Sequence, residues 1–191
     1  MDTPQFWQLI DEARSQVPAP DDGGDVARRA AALLALRPVE EIIATEQTIW
    51  KLLADSRRAP LWGAAYLING GCSDDGFDYF RGWLITQGRA TFESVIADPD
   101  RLAALPAVRA FAADGIDIEC EEALAIVWHA HRTATGQDLP DVAARTVQDP
   151  PLDVPLDAPL DSPLDPDWNF DFDDTDELNR RLPRLAALYA N

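Results

Sequence analysis

Apolar residues recur every three to four positions along residues 1–147, and no alternating apolar and polar run there suggests a sheet. This spacing places apolar side chains on one face of a helix, whereas alternation would indicate a strand. The clearest helix is predicted from Pro38 to about Ser56. The residues expected on its apolar stripe are Val39, Ile42, Ile43, Ile49, Trp50 and Leu53. The pattern therefore predicts an all-α fold, a compact multi-helix domain in which only Ile116 to Ile118 could form a short extended piece.

Residues typical of helix ends punctuate the pattern. Thr3-Pro4 is interpreted as an N-cap followed by proline at the first helical position, residues 18–24 as a loop, and Gly88 as a C-terminal stop. Further helices are predicted from about Val26 to before Pro38, over Pro60 to Ile68, from Ser73-Asp74-Asp75 to Gly88, over Ala90 to Ala97, after Asp98-Pro99, over Glu119 to Thr135, and over Thr175 to Arg181 with a continuation beyond Leu182-Pro183.

Charge and proline divide the chain into three parts. Residues 1–147 hold 23 acidic and 13 basic residues, and residues 148–191 hold 11 acidic and 3 basic residues with no glycine. We predict a helical domain over 1–147 and a linker over 148–167, where proline at every fourth position of a Pro-Leu-Asp repeat excludes continuous helix. Residues 168–191 form an aromatic and acidic segment with a helix. This segment is expected to dock, either on the helical domain or on a partner.

Composition restricts the classes of partner and the location. The chain carries 34 acidic against 16 basic residues, a net charge of −18. Such a charge disfavours binding to nucleic acids and to anionic lipids. Two cysteines are too few for a disulfide framework, and no apolar run reaches the ~18 residues needed to cross a bilayer. We therefore expect a cytoplasmic protein with reduced thiols and no membrane contact.

Two adjacent motifs carry a resemblance to a known family. They are residues 70–77, Gly-Gly-Cys-Ser-Asp-Asp-Gly-Phe, and residues 79–84, Tyr-Phe-Arg-Gly-Trp-Leu. Together with Phe6-Trp7 they make residues 4 to about 140 resemble the bacterial family named domain of unknown function 4240, and residues 168–189 resemble the tail that many members carry after a variable linker. The resemblance implies a mostly helical fold. It implies no catalytic residues, because the family has no assigned activity.

Ser73, Asp74 and Asp75 are the first candidates for chemistry. Two adjacent carboxylates beside a glycine pair could ligate Mg²⁺ or supply a general base. The competing interpretation is local, because Ser and Asp accept hydrogen bonds from the free N–H groups of a first helical turn and favour its dipole by about 0.3–2 kcal/mol. We favour capping.

Arg81 and Glu46 complete the candidate polar site. Arg81 together with Arg89 could clamp a carboxylate or phosphate, but pairing with Asp78, three residues earlier on the same helix face, is favoured. Glu46 interrupts the apolar stripe of its helix, where a lone buried carboxylate is costly. Either an arginine, Arg81 or Arg58, meets it, or the rim of the stripe is solvated there.

No cofactor or metal site is predicted. His129 and His131 lie two residues apart on a helix and so on nearly opposite faces, and no zinc spacing of His or Cys occurs. No ordered set of Ser, His and acid is recognisable.

Two functional hypotheses follow. The first is a non-enzymatic protein-interaction or regulatory module with a protein partner, a basic protein being one option. The alternative is a small hydrolase-like enzyme, metal-assisted in one version, with a polar site around Asp74, Asp75 and Arg81. The partner, the substrate and the oligomeric state are left open by the sequence.

Overall fold

The computed structural model describes residues 1–140 and 166–189, and within these ranges every regular element is a helix. The α-helices are α1 (Thr3–Ser15), α2 (Gly23–Leu34), α3 (Val39–Asp55), α4 (Ala59–Asn69), α5 (Asp74–Thr86), α6 (Arg89–Ala97), α7 (Pro106–Asp114), α8 (Ile126–Thr135), α9 (Thr175–Arg181) and α10 (Pro183–Tyr189). Short 3₁₀ helices lie at Pro99–Ala104, Glu121–Ala123 and Pro166–Trp168. The predicted all-α fold is confirmed. The Pro-Leu-Asp repeat and the boundary near Gln148 lie outside the described residues.

Aspartates cap the first two helices. Asp2 caps α1 by accepting from the Gln5 N–H at 2.9 Å, and the Gln5 side chain accepts from the Asp2 N–H at 3.0 Å. Asp22 caps α2 by accepting from the Gly24 N–H at 2.9 Å. The prediction of an N-cap at Thr3 is therefore wrong by one residue, because the Asp2 carboxylate is a strong acceptor for first-turn N–H groups. The loop predicted over 18–24 extends two residues too far, since α2 begins at Gly23.

Helix α5 lies at the centre of the fold. Every residue from Phe80 to Gly88 is buried, and the helix contacts α2, α3, α4, α6 and the 3₁₀ helix at Glu121–Ala123. A Cβ atom at Gly82 would lie 2.6 Å from the Cys120 carbonyl oxygen, so only glycine permits this approach. The Cys120 N–H donates to the Tyr79 carbonyl at 2.9 Å.

The same contact explains why the helix predicted over Glu119–Thr135 is wrong in its first part. Cys120 is extended, with φ −156°, and its N–H bonds to α5. The chain then forms a 3₁₀ turn, and α8 begins at Ile126. Val127 and His131 are buried as predicted, whereas Trp128 is 36% exposed. Helix α7 was not predicted.

Helix α3 confirms the clearest sequence prediction with one exception. Ile42, Ile49 and Leu53 are buried, and Val39 and Ile43 are half-buried, but Trp50 is 46% exposed. The predicted stripe therefore included a residue at its exposed edge.

The C-terminal segment, residues 166–189, docks on the helical domain. Its Leu178, Leu182 and Leu185 are buried in the same core as α1 to α8. A Cβ atom at Gly63 of α4 would lie 2.7 Å from the Trp168 ring, so the indole rests directly on the helix backbone.

Asp100 holds this segment in place. Its carboxylate, with the residue 7% exposed, accepts from the Arg184 N–H at 3.0 and 3.2 Å and from the Leu185 N–H at 2.9 Å. A side chain of the 3₁₀ helix at Pro99–Ala104 thus satisfies the free N–H groups of α10, which no residue of α10 could do.

Replacing Asp100 by alanine is expected to lower the free energy of unfolding by about 1–3 kcal/mol, because two N–H groups lose their acceptor. Urea denaturation measures this loss. The matched control is Asp98→Ala, which removes a surface carboxylate 3.2 Å from Arg101 Nε and should cost less than about 1 kcal/mol. Equal losses for the two variants would contradict the capping role.

No helix among the described residues combines the length and the apolar character that a membrane span requires.

Candidate functional site

The residues of the predicted polar site begin at the N-terminal end of α5. Ser73 is the N-cap, and its Oγ accepts from the Gly76 N–H at 3.1 Å. Asp74 and Asp75 are exposed in the first turn, where negative charge favours the helix dipole. In the described part of the chain neither carboxylate has an ion-pair partner. The capping role is confirmed for Ser73, and the two aspartates add charge to the same helix end.

Arg81 lies two turns further along α5 and faces the core. It is 3% exposed, donates to the Leu53 carbonyl at the end of α3, and pairs with Asp78 as its spacing predicts. Its guanidinium also lies 4.6 Å from the centre of the Phe77 ring. Burial lowers the pKa of Arg81, and the Asp78 carboxylate opposes this shift. Arg81 therefore joins α5 to α3.

Glu46, the remaining residue of the predicted polar site, lies on α3 and not on α5. Its Oε2 is buried and has no hydrogen-bond partner among the described residues, and burial raises the pKa of its carboxyl, with the Trp50 indole acting in the opposite direction. Neither suggested arginine pairs with it, because Arg81 binds Asp78 and Arg58 Nε donates to the Asp55 carbonyl at 3.2 Å.

The structure thus places Ser73, Asp74 and Asp75 together at one end of α5. Arg81 does not join them, because its side chain points in a different direction. The two carboxylates face solvent, whereas Arg81 faces the core. The suggested clamp of Arg81 with Arg89 does not form, because Arg89 is exposed on α6 and pairs with Glu93 at 2.7 Å. Among the described residues, no three His, Cys, Asp or Glu side chains are grouped so that they could hold a metal ion.

The two cysteines are free thiols with low intrinsic reactivity. Burial raises the pKa of Cys72 to about 12, although Arg81 opposes the shift. Burial likewise raises the pKa of Cys120 to about 12, with the Glu122 carboxylate adding to it. A nucleophilic thiol needs the opposite shift.

Because the thiolate is the reactive form, the folded protein is expected to react with an aromatic disulfide reagent about three orders of magnitude more slowly than a free thiol at the same pH. Both thiols should react quickly once urea unfolds the chain. Absorbance of the released thiolate measures the rates, and Cys72→Ser assigns them. Equal rates for Cys72 in the folded and unfolded chain would show that its thiol is not protected.

An acidic surface surrounds Tyr79, at the junction of α5 with the segment before α8. Four carboxylates raise the pKa of the Tyr79 hydroxyl, led by Glu121, with burial of the ring adding to the effect. The other contributing residues are Asp75, Glu119 and Asp78. We call Asp75, Asp78, Glu119, Glu121 and Tyr79 the acidic surface.

Two backbone contacts build this surface. The Cys120 N–H donates to the Tyr79 carbonyl at 2.9 Å. The Asn69 side chain, at the end of α4, accepts from the Ile118 N–H at 2.9 Å and donates to its carbonyl at 3.2 Å. Residues 118–120 are therefore fixed beside the exposed end of α5, which brings Glu119 and Glu121 to Asp75.

Sequence reasoning did not identify the acidic surface as a unit. It singled out Asp75, but Glu119 and Glu121 lie more than forty positions away and were expected in a helix that begins only at Ile126 in the structure. The only signal was the excess of acidic residues in the chain.

A second feature, the cationic cleft, lies between α1, α3 and α6. It has a volume of about 570 Å³ and is lined by three cations, Lys51, Arg58 and Arg89, above Trp7 and Phe92. The sequence suggested Arg89 as a neighbour of Arg81 and Arg58 as a partner of Glu46, but it did not group these cations in one cleft.

The family model described as "Protein of unknown function (DUF4240)" matches residues 1–133. The match contains α1 to α7 and most of α8, together with Asp74, Asp75, Arg81 and Glu46. No curated protein and no solved structure matches the chain.

Proposed function

The chain belongs to this family of proteins of unknown function, and we propose that it is a non-enzymatic protein-interaction module that binds a basic protein through the acidic surface. The proposal rests on the local charge around Tyr79, since the family itself assigns no activity. We place the protein in the cytoplasm, because Cys72 and Cys120 are both free thiols.

The observation that carries the proposal is the lack of neutralising cations at the acidic surface. Of its four carboxylates, only Asp78 has an ion pair, with Arg81 from the core side. Within the described residues, Asp75, Glu119 and Glu121 have none. Asp25 and Glu122, by contrast, pair with Arg28 at 2.8 and 2.9 Å. A basic partner would supply the missing opposite charges.

The position of Tyr79 also supports binding of a basic partner at the acidic surface. Its side chain is half-buried, and the negative charges that act on its hydroxyl come from the four carboxylates of the acidic surface. Arginine suits such a surface, because a guanidinium can bind a carboxylate and stack on an aromatic ring at the same time. Nucleic acids and anionic membranes are not the proposed partners, since their phosphates would be repelled.

The enzymatic alternative, a hydrolase-like site at Asp74, Asp75 and Arg81, has less support. A catalytic arginine needs N–H groups directed at open space. Arg81 directs its two terminal N–H groups at the Leu53 carbonyl and Asp78, and its Nε, which has no partner among the described residues, is buried.

We expect the double variant Glu119→Gln, Glu121→Gln to bind a fluorescein-labelled peptide of alternating arginine and leucine about three- to tenfold more weakly than the natural chain. Two exposed charge pairs contribute roughly 0.2–1 kcal/mol each. Fluorescence anisotropy at low salt measures the affinity, and added salt should reduce the difference between the two proteins.

The matched control is Glu12→Gln, Glu40→Gln, which changes the net charge equally on exposed positions of α1 and α3. Its affinity should stay within about twofold of the natural chain. Equal weakening by the two double variants would mean that net charge alone attracts the peptide, and the proposal would fail.

A titration tests the surface without any ligand. The pKa of Tyr79 is raised above the ordinary 10.0 by the carboxylates around it. Because Glu119→Gln, Glu121→Gln removes two negative charges, the tyrosinate becomes easier to form and the pKa should fall toward 10.0. Ultraviolet absorbance of tyrosinate follows the change, and Tyr79→Phe identifies the transition among the three tyrosines. An unchanged Tyr79 transition would show that the two glutamates lie too far away to act.

A further inference from the structure

The cationic cleft concentrates positive charge in a chain whose net charge is −18. Its lining comes from the first turns of α1, the second half of α3 with Arg58, and the length of α6. Its volume, about 570 Å³, lies within the range of roughly 300–1,000 Å³ that small-molecule sites occupy. The dimensions suit a small organic molecule.

The floor of the cleft is aromatic and apolar. Trp7 and Phe92 stand side by side with ring centres 5.2 Å apart, and Leu52 and Ile96 extend the apolar lining. Trp7 is 4% and Phe92 3% exposed, so each ring presents a small part of its surface to the cleft, and the half-buried Ile96 adds to the apolar lining. A flat apolar body could pack on this floor.

The cations on the rim are available to different degrees. Lys51, the single lysine of the chain, has no ion pair or hydrogen bond in the described part of the structure. Arg58 donates from Nε to the Asp55 carbonyl at 3.2 Å, and among the described residues its terminal N–H groups have no carboxylate partner. Arg89 is neutralised by Glu93 at 2.7 Å. Lys51 and Arg58 are therefore the cations that a ligand can use.

The charge of the lining sets the charge of the ligand. Two carboxylates, Asp55 and Glu93, line the cleft with the three cations, so the net charge of the lining is +1. One negative charge balances it, whereas a doubly charged phosphate would leave one negative charge unbalanced in the cleft. Helix α4 begins at Ala59, directly after Arg58, without a side-chain cap, and its dipole favours an anion beside Arg58.

From these features we infer that the cationic cleft binds a small organic monocarboxylate with an aromatic or otherwise apolar body. The carboxylate lies between Lys51 and Arg58, and the body packs on Trp7 and Phe92. This site is separate from the acidic surface, uses the opposite charge, and does not depend on the proposed protein partner.

Naphthoate and its uncharged carboxamide are suitable probes, because the two molecules have the same aromatic body and differ in charge. Naphthoate is expected to shift the NMR signals of the Trp7 indole N–H and of the Phe92 backbone. The carboxamide should bind about tenfold more weakly, since it loses charge-assisted hydrogen bonds. The full chain is used throughout.

Variants separate the two halves of the site. Lys51→Gln with Arg58→Gln should weaken naphthoate binding tenfold or more and leave the affinity for the carboxamide unchanged. The control is Arg37→Gln, which removes an exposed cation outside the cleft and should leave both affinities unchanged.

Three results would overturn the inference. They are equal affinity for naphthoate and carboxamide, shifts located away from Trp7 and Phe92, and no binding at millimolar probe. None of them affects the peptide assay at Glu119 and Glu121, so this inference and the proposed function can fail separately.

Discussion

Burial of helix α5 on all sides is the constraint on which the rest of the fold depends. Every residue from Phe80 to Gly88 is buried, so the second half of the helix needs neighbours around its whole circumference. One of them is the segment at Cys120, whose carbonyl approaches Gly82 so closely that any side chain there would collide with it. The exposed end of α5 remains outside the core. The acidic surface forms because the same approach brings Glu119 and Glu121 to that end.

Charged groups divide into those that hold helices together and those that face solvent. Arg81 is buried because its N–H groups find the Leu53 carbonyl and Asp78, and Asp100 is buried because it accepts from α10. Each satisfies a neighbouring element, which offsets the cost of removing charge from water. Glu46 shows the opposite case, since burial without a partner for Oε2 raises the pKa of its carboxyl. The buried charges therefore have structural roles, and the proposed binding functions use charged side chains that are exposed to solvent.

Two of the disagreements between the sequence predictions and the structure share a cause. The helix expected from Glu119 is interrupted because the Cys120 N–H bonds to α5, and Trp50 is exposed because the helices around α3 leave that edge of its stripe uncovered. In both cases a helical pattern was read correctly, but a contact between distant segments, or its absence, decided the outcome. The caps at Asp2 and Asp22 differ from expectation for a local reason, since the preceding aspartate is a better acceptor than the residue first chosen.

The sequence by itself determined the helical class, nearly all of the helices and the capping of α5 by Ser73, because periodicity and caps depend on residues three or four positions apart. It also determined the pairing of Arg81 with Asp78. Only the tertiary structure decided that residues 166–189 dock on their own domain through Asp100, and that Lys51, Arg58 and Arg89 line one cleft. These groupings join residues far apart in the chain. Their formation depends on how the helices pack, which no local pattern of residues records.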